Sequence, residues 1–254
     1  MQRDSSPSGL LGPRDPSPVE ISGGRAPLLL TVEHAGRGVP ERLSDMGLPA
    51  GEIDRHIGWD IGALDLARAM AARLPATLVA QRYSRLVIDV NRPWDASDLV
   101  PETADGTEVP ANAGLDGISR QQRWDEIHRP FHDAVAAGCD NGAKALVAVH
   151  TYDPRRRADP EDRPWPVGLL WRQGNPLAEG LAARLSDHAA ALPLGINAPY
   201  EIEDESDFTI PMHAERRGLP HVLIEVRNDF VRDAAGILLF ADLLSQAILD
   251  LELT

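Results

Sequence analysis

What this sequence is short of narrows its chemistry before any motif is found. Its 254 residues hold one cysteine, Cys139. Within a single chain, neither a disulfide nor a cysteine-rich zinc site can form, so any metal must be held by His, Asp and Glu. Cys139 stands just before the turn signal Asp140-Asn141-Gly142 and reads as an ordinary packing residue. Basic residues are outnumbered, 25 Lys and Arg against 39 Asp and Glu, for a formal net charge of -14. Such a surface cannot neutralise phosphates, which argues against a nucleic-acid partner, although local arginines can still hold a small anion. No run approaches the ~20 apolar residues of a membrane span, so no membrane partner is expected. Gly9-Leu10-Leu11-Gly12 is too short for the apolar core of a signal peptide, and the expected location is the cytoplasm. Gly-x-Gly-x-x-Gly and a Walker-type phosphate loop are both missing, which removes the usual cradles for dinucleotides and nucleoside triphosphates. No repeat of solenoid length is visible.

What remains is a chain with 43% hydrophobic residues, enough for one large α/β domain. Residues 1–24, rich in Ser, Pro and Gly, read as a flexible N-terminal arm, and 25–254 as the domain. Apolar runs of strand length occur at 28–32, 78–80, 86–90, 145–149, 167–171 and 222–226, several of them β-branched. Helix-like patterns lie between them, at 53–74, 119–137, 176–192 and 234–251, with Pro130 expected to bend or restart the second. Residues 93–117 have little periodicity and read as a long loop that covers something. Strands buried on both faces and separated by helices predict a three-layer, single-domain α/β fold. Its sheet is mixed but mainly parallel, with helices on both faces.

The polar residues fall where such a fold places ligands, at the carboxyl ends of strands. The run 28–32 leads into Glu33-His34-Ala35-Gly36, the run 86–90 into Asn91-Arg92-Pro93, and 145–149 into His150-Thr151-Tyr152, while Glu225 lies within 222–226. Taken singly, each has a plainer reading: a hydrogen-bonded loop histidine, a turn arginine, a carboxylate paired with Arg227 or Arg85. Taken together they fit hydrolytic metal chemistry. Catalytic zinc takes about three protein ligands and leaves a position open for water. His34 and His150 supply two ligands, and Asp54, near the start of the 53–74 pattern, is the favoured third. His56 and Asp60 lie nearby, and residues 54 and 56 do not share a helix face. Glu225 is the natural general base, and Arg85 or Arg92 could hold the oxyanion.

An ordered set of strings also resembles one known family. Glu33-His34-Ala35-Gly36, Asp54-Arg55-His56-Ile57, Tyr83-Ser84-Arg85, Ile88-Asp89-Val90-Asn91-Arg92-Pro93, His150-Thr151 and Leu223-Ile224-Glu225 are similar, in order, to N-formylglutamate amidohydrolases. That resemblance implies a fold related to zinc carboxypeptidases, whose own local strings Asp89–Arg92, His150–Tyr152 and Glu225–Arg227 also resemble. It further implies one Zn2+ held by His34, His150 and Asp54, with His56 as the competing third ligand, and Glu225 as base. Asn91 and Arg92 would grip the substrate's carboxylate, leaving Arg85 for the oxyanion or a second carboxylate. His213 would be a substrate-binding or supporting contact. The implied reaction is hydrolysis of N-formyl-L-glutamate or a close N-acyl amino acid, a small anion, with a place in histidine degradation. The chain departs from the carboxypeptidase pattern at Arg37, where those enzymes carry a glutamate three residues after the first histidine. That departure is why Asp54 is favoured. Two alternatives remain open: a carboxypeptidase-like peptidase or amidase acting on peptide or cell-wall fragments, and a non-catalytic binder on the same scaffold.

Overall fold

In the computed structural model, which describes residues 9–172, 174–189 and 191–252, seven strands build one sheet. In chain order the elements begin with β1 (Val19–Ser22), β2 (Leu28–Val32), α1 (Ala63–Ala71) and β3 (Ala76–Gln81). There follow a small hairpin of β4 (Thr103–Ala104) and β5 (Thr107–Glu108), then α2 (Gly117–Arg123) and α3 (Arg129–Asp140). The remainder are β6 (Ala145–Tyr152), β7 (Val167–Leu170), α4 (Pro176–His188), β8 (Leu194–Ile196), β9 (His221–Arg227) and α5 (Ala234–Leu249). The sheet order is β1-β3-β2-β6-β9-β7-β8. The pairs β2–β3, β2–β6, β6–β9 and β7–β8 are parallel, and the two pairs β1–β3 and β7–β9 are antiparallel.

Strand periodicity decides which layer each side chain enters. Leu28, Leu30 and Val32 of β2, Val147 and Val149 of β6, and Val222 and Ile224 of β9 pack with α1, α4 and α5. The alternate residues Leu29, Leu146, Ala148 and Leu223 point the other way, toward Phe131 and Val135 of α3. Strands apolar on both faces are what a sheet sandwiched between helices requires, and the mixed, mainly parallel three-layer expectation holds. No helix among the described residues is long and apolar enough to cross a membrane.

Three local expectations are corrected. The 53–74 pattern is not one helix: a 3-10 turn at Glu52–Asp54 is followed by turns, and α1 starts only at Ala63, after Gly62 in the left-handed conformation. The run 86–90, apolar enough for a strand, instead forms consecutive turns, its backbone capped by Ser84 and Leu99 rather than by a neighbouring strand. The expected flexible arm over 1–24 is, in its described part, docked. Val19–Ser22 pairs with β3, and the amides of Leu10 and Leu11 donate to Glu126 at 2.7 and 2.8 Å; residues 1–8 lie outside the described residues. Proline and serine content reports how little a segment buries, not whether a sheet edge and a carboxylate are waiting for it. The helical pattern near Pro130 does restart: α2 passes through a π-helical turn at Trp124–His128 into α3, with Pro130 in the first turn of α3. The 93–117 segment contributes Asp98, Pro101, Thr103, Ala104 and Asp105 to the wall of the main cavity. Cys139, in the last turn of α3, is buried in the core, as expected.

Candidate active site

Three adjacent central strands deliver the floor of the site. In the parallel β6–β9 pairing His150 stands opposite Glu225. The β2–β6 register, Thr31 opposite Ala148, carried two residues further puts Glu33 opposite His150. Residues of like parity face one way, so Glu33, His150 and Glu225 form a polar row continuing the apolar row of Ala148 and Leu223. Beyond β2 the chain must turn at once, and Gly36 permits it: a Cβ there would run into the carbonyl oxygen of Arg82. The turn returns His34 over the row, and its carbonyl accepts from the amide of Asp60 at 2.9 Å.

The result is a buried cluster of two imidazoles and a carboxylate. His150 Nδ1 lies 2.9 Å from Asp60 Oδ2, and His34 Nδ1 lies 3.4 Å from the same oxygen. Ligand atoms of His34, Asp60 and His150 all lie within 4.8 Å of one another. Each opposite ring nitrogen has its own carboxylate: His34 Nε2 is 2.7 Å from Asp89, and His150 Nε2 is 2.9 Å from Glu33. Asp89 holds the His34 proton on Nε2 and turns its Nδ1 lone pair toward Asp60, the arrangement that orients a histidine for a metal. His150, by contrast, hydrogen-bonds Asp60 through Nδ1 and meets Glu33 as an ion pair without hydrogen-bond geometry. His34 Nδ1 is buried without a hydrogen-bond partner, an expensive state unless something binds it. This donor set fits a divalent cation.

The electrostatics agree. Burial by itself would raise the Asp60 carboxyl, but His34 and His150 outweigh it and hold it well below the ordinary range. Burial by itself would lower His150, but Asp60 and Glu33 outweigh it and raise it well above an ordinary imidazole. Negative charge therefore collects around the two rings and calls for a cation, be it a proton or a metal ion. Glu225 differs: burial pushes its carboxyl up to about 8, His150 opposing and Asp60 adding to the rise, and its Oε2 is buried without a hydrogen-bond partner.

Asp89 ties this floor to the rest of the site. Its Oδ1 accepts from His34 and from the amide of Asn91 at 2.9 Å, while its Oδ2 accepts from Arg85 at 2.7 and 3.1 Å. Arg85 also lies 3.5 Å from Asp60. Asn91 is locked by its own side chain, accepting from the amides of Phe208 and Thr209 at 3.2 and 3.0 Å and donating to Asp207 at 2.9 Å. Arg92 pairs with Asp98 at 2.8 Å and donates to the carbonyl of Ser206. Behind this turn, His132 Nε2 donates to the carbonyl of Val90 at 2.7 Å and His128 Nε2 to that of Arg92 at 2.9 Å. His213 Nε2 then donates to His132 Nδ1 at 2.9 Å, since that nitrogen has no proton to give. All three of these histidines are buried.

One cavity of about 780 Å³ is lined by His34, His56, Asp60, Arg85, Asn91, Arg92, His150 and Glu225, among others. The structure thus brings together His34, His150, Glu225, Arg85, Asn91 and Arg92, and corrects two other expectations. Asp54 is on the surface, 55% exposed and paired with Arg37; the carboxylate that meets the histidines is Asp60. The turns between Asp54 and α1 separate the two aspartates, and a helix assumed to run from residue 53 conceals that. His56 is nearer: its Nδ1 lies 3.5 Å from Asp60 Oδ1, so it contacts the carboxylate rather than completing the trio. His213 does not line the cavity; it supports His132 from behind. Sequence reasoning missed the roles of Glu33 and Asp89. The signal for both was available, a carboxylate embedded in an apolar string that needs a buried partner.

Comparison with known proteins follows the same lines. A model of the family described as N-formylglutamate amidohydrolase matches residues 26–232. A solved structure of a gene product of Agrobacterium tumefaciens is 30% identical and superposes with a TM-score of 0.89, over 96% of this chain and 98% of its own. The N-formylglutamate amidohydrolase of Ralstonia eutropha shares the fold at 18% identity, with a TM-score of 0.71 over 93% of this chain and 97% of its own. An N-formylglutamate deformylase of Pseudomonas putida is 32% identical over 128 residues, a stretch that spans about half of either protein, 46% of each.

Proposed function

The chain belongs to the N-formylglutamate amidohydrolase family, and from that premise we propose that it hydrolyses the amide of N-formyl-L-glutamate, or a close N-acyl amino acid, with zinc. One observation carries the reading: the Nδ1 atoms of His34 and His150 and a carboxylate oxygen of Asp60 converge at the floor of the cavity that Glu225 also lines. Those three residues would hold the ion, which when bound supplies Lewis-acid activation of water and of the amide carbonyl.

The chain's own residues then have separable tasks. Glu225, whose burial favours holding a proton, takes one from the attacking water and returns it to the departing amine. Arg85 faces the cavity and meets the negative charge that develops on the carbonyl oxygen. Its orientation is set by Asp89, which also fixes the His34 ring, so cation and metal ligand are registered against one carboxylate. Arg92 grips the substrate's α-carboxylate, and the neighbouring Asn91 keeps that turn in place through its bonds to residues 207–209. Asp89 holds the His34 imidazole in the tautomer that a metal needs, and Glu33 places a negative charge behind His150.

The test is formate release from N-formyl-L-glutamate by chelator-treated protein before and after zinc is restored, alongside N-acetyl- and peptidyl-glutamate. Zinc-dependent release of formate, with the larger acyl groups slower, is the expected result. Faster cleavage of the peptidyl compound would move the activity to a peptidase. Stoichiometric zinc binding with no hydrolysis of any of the three would leave only a binder.

A further inference from the structure

Glutamate carries two carboxylates, and the arginines of this cavity are not equally free to meet them. Arg85 is already balanced, donating to Asp89 at 2.7 Å and lying 3.5 Å from Asp60. Arg92 is assigned above to the α-carboxylate. Arg156 is 40% exposed and paired with Asp159 at 3.2 Å, where water screens it. Arg163 is different. It is buried and lines the same cavity, its nearest carboxylate is Asp159 at 3.9 Å, and that carboxylate is 43% exposed.

The guanidinium of Arg163 is held in one orientation. Nη1 donates to the hydroxyl of Tyr200 at 2.7 Å, and Cζ lies over the Tyr200 ring, 5.0 Å from its centroid. Its backbone is tied on both sides: the amide donates to the carbonyl of Pro154 at 3.2 Å, and the carbonyl accepts from Arg227 at 3.2 Å. A guanidinium has five N–H donors in a planar fork, and one nitrogen serves Tyr200. Tyr200 is brought into the site by Gly168, which stands opposite Glu225 in the β7–β9 pairing. A Cβ at Gly168 would collide with the carbonyl oxygen of Ala198, so the missing side chain lets the 198–200 segment close in beside the general base. A rigid, partly desolvated arginine stacked on an aromatic ring is the arrangement that recognises a carboxylate with direction as well as charge. The exposed acids Glu201 and Glu203 at the cavity's edge repel an approaching dianion, so retention needs a cation inside.

We propose that Arg163 and Tyr200 form a second carboxylate subsite, which takes the side-chain carboxylate of an N-acyl acidic amino acid and sets the preference for glutamate over its uncharged isosteres. The proposal rests on the amidohydrolase reading for its substrate, so its test is split into binding and turnover. Binding of the product L-glutamate and of L-glutamine to zinc-supplemented protein is measured by calorimetry, which requires no catalysis. Wild-type protein should bind glutamate more tightly. Arg163→Met should weaken glutamate by about 10- to 100-fold, the usual worth of a hydrogen bond to a charged group, and leave glutamine within about threefold. Arg163→Lys should restore part of the difference, and Tyr200→Phe, which keeps the ring, should cost less than Arg163→Met. In turnover the same discrimination should appear in kcat/KM for N-formyl-L-glutamate against N-formyl-L-glutamine. Wild-type protein that binds the two amino acids equally would overturn the subsite, as would an Arg163→Met variant that weakens both alike, the signature of a merely structural loop residue. Glutamate preference without any hydrolysis would uphold the subsite and sink the amidohydrolase reading.

Discussion

Two aspartates six positions apart give the sharpest test of the proposed metal site. Asp60 Oδ2 lies 2.9 Å from His150 Nδ1 and 3.4 Å from His34 Nδ1, buried on every side. Asp54 is 55% exposed and touches Arg37. Asp→Asn preserves the side chain's size and removes its charge. Loss of a carboxylate that only orients a metal-binding histidine lowers affinity by about 10- to 100-fold. Loss of a direct anionic ligand should exceed that, so Asp60→Asn is expected to weaken zinc by more than about 100-fold, or about 2.7 kcal/mol. Asp54→Asn removes one exposed ion pair, worth about 0 to 1 kcal/mol of stability, and should leave zinc affinity within about threefold. Competition titration of each dialysed variant against a chromophoric zinc chelator measures both. Wild-type affinity in Asp60→Asn, or a large loss in Asp54→Asn, would refute the assignment of the third ligand and the geometric reasoning behind it.

Three further outcomes follow from the same geometry. Glu225→Gln should retain zinc while kcat falls by about 100- to 10,000-fold, the range for a lost general acid–base; undiminished turnover would remove Glu225 from the mechanism. His132→Ala orphans the Val90 carbonyl and loosens the turn carrying Arg92. KM should rise by about tenfold with kcat less affected, and the loss should not add to that of Arg92→Ala; full additivity would deny the connection. Burial lowers both His128 and His213 to about 4. Because these folded-state values lie below that of a free imidazole, the folded protein refuses protons that the unfolded chain accepts. Their contribution to stability is present above about pH 6.5 and is lost as the pH falls toward 4, on the order of 3 kcal/mol for each ring. The urea midpoint should therefore drop between pH 6.5 and 4.5, and a flat profile would contradict neutral buried rings.

Much of this site is legible in the sequence. His34, His150 and Glu225 each follow or sit within an apolar run long enough to be a strand, and strands of a mainly parallel sheet end at one rim. Their convergence followed from counting residues. Asn91 and Arg92 were also found, although the run before them is not a strand. Val87 and Val90 are buried beneath turns rather than in a ladder, and apolar content alone does not separate those two fates. Asp60 was passed over for Asp54 because the choice depended on where a helix begins. Glycine at 62, with its left-handed backbone, sets that start at Ala63, nine residues after Asp54.

The amino-acid sequence by itself determined the layers of this protein, the two imidazoles and the buried carboxylate that its strands bring together, and the exclusion of a cysteine site. These depend on composition and on a two-residue period, both local properties. Tertiary structure decided which carboxylate meets the imidazoles, which acids stand behind them, and which arginines still have charge to offer. Those are matters of distance between residues remote in the chain: Glu33 and Asp60 meet His150, and Arg163 meets Tyr200, only after the sheet has brought their loops to one edge.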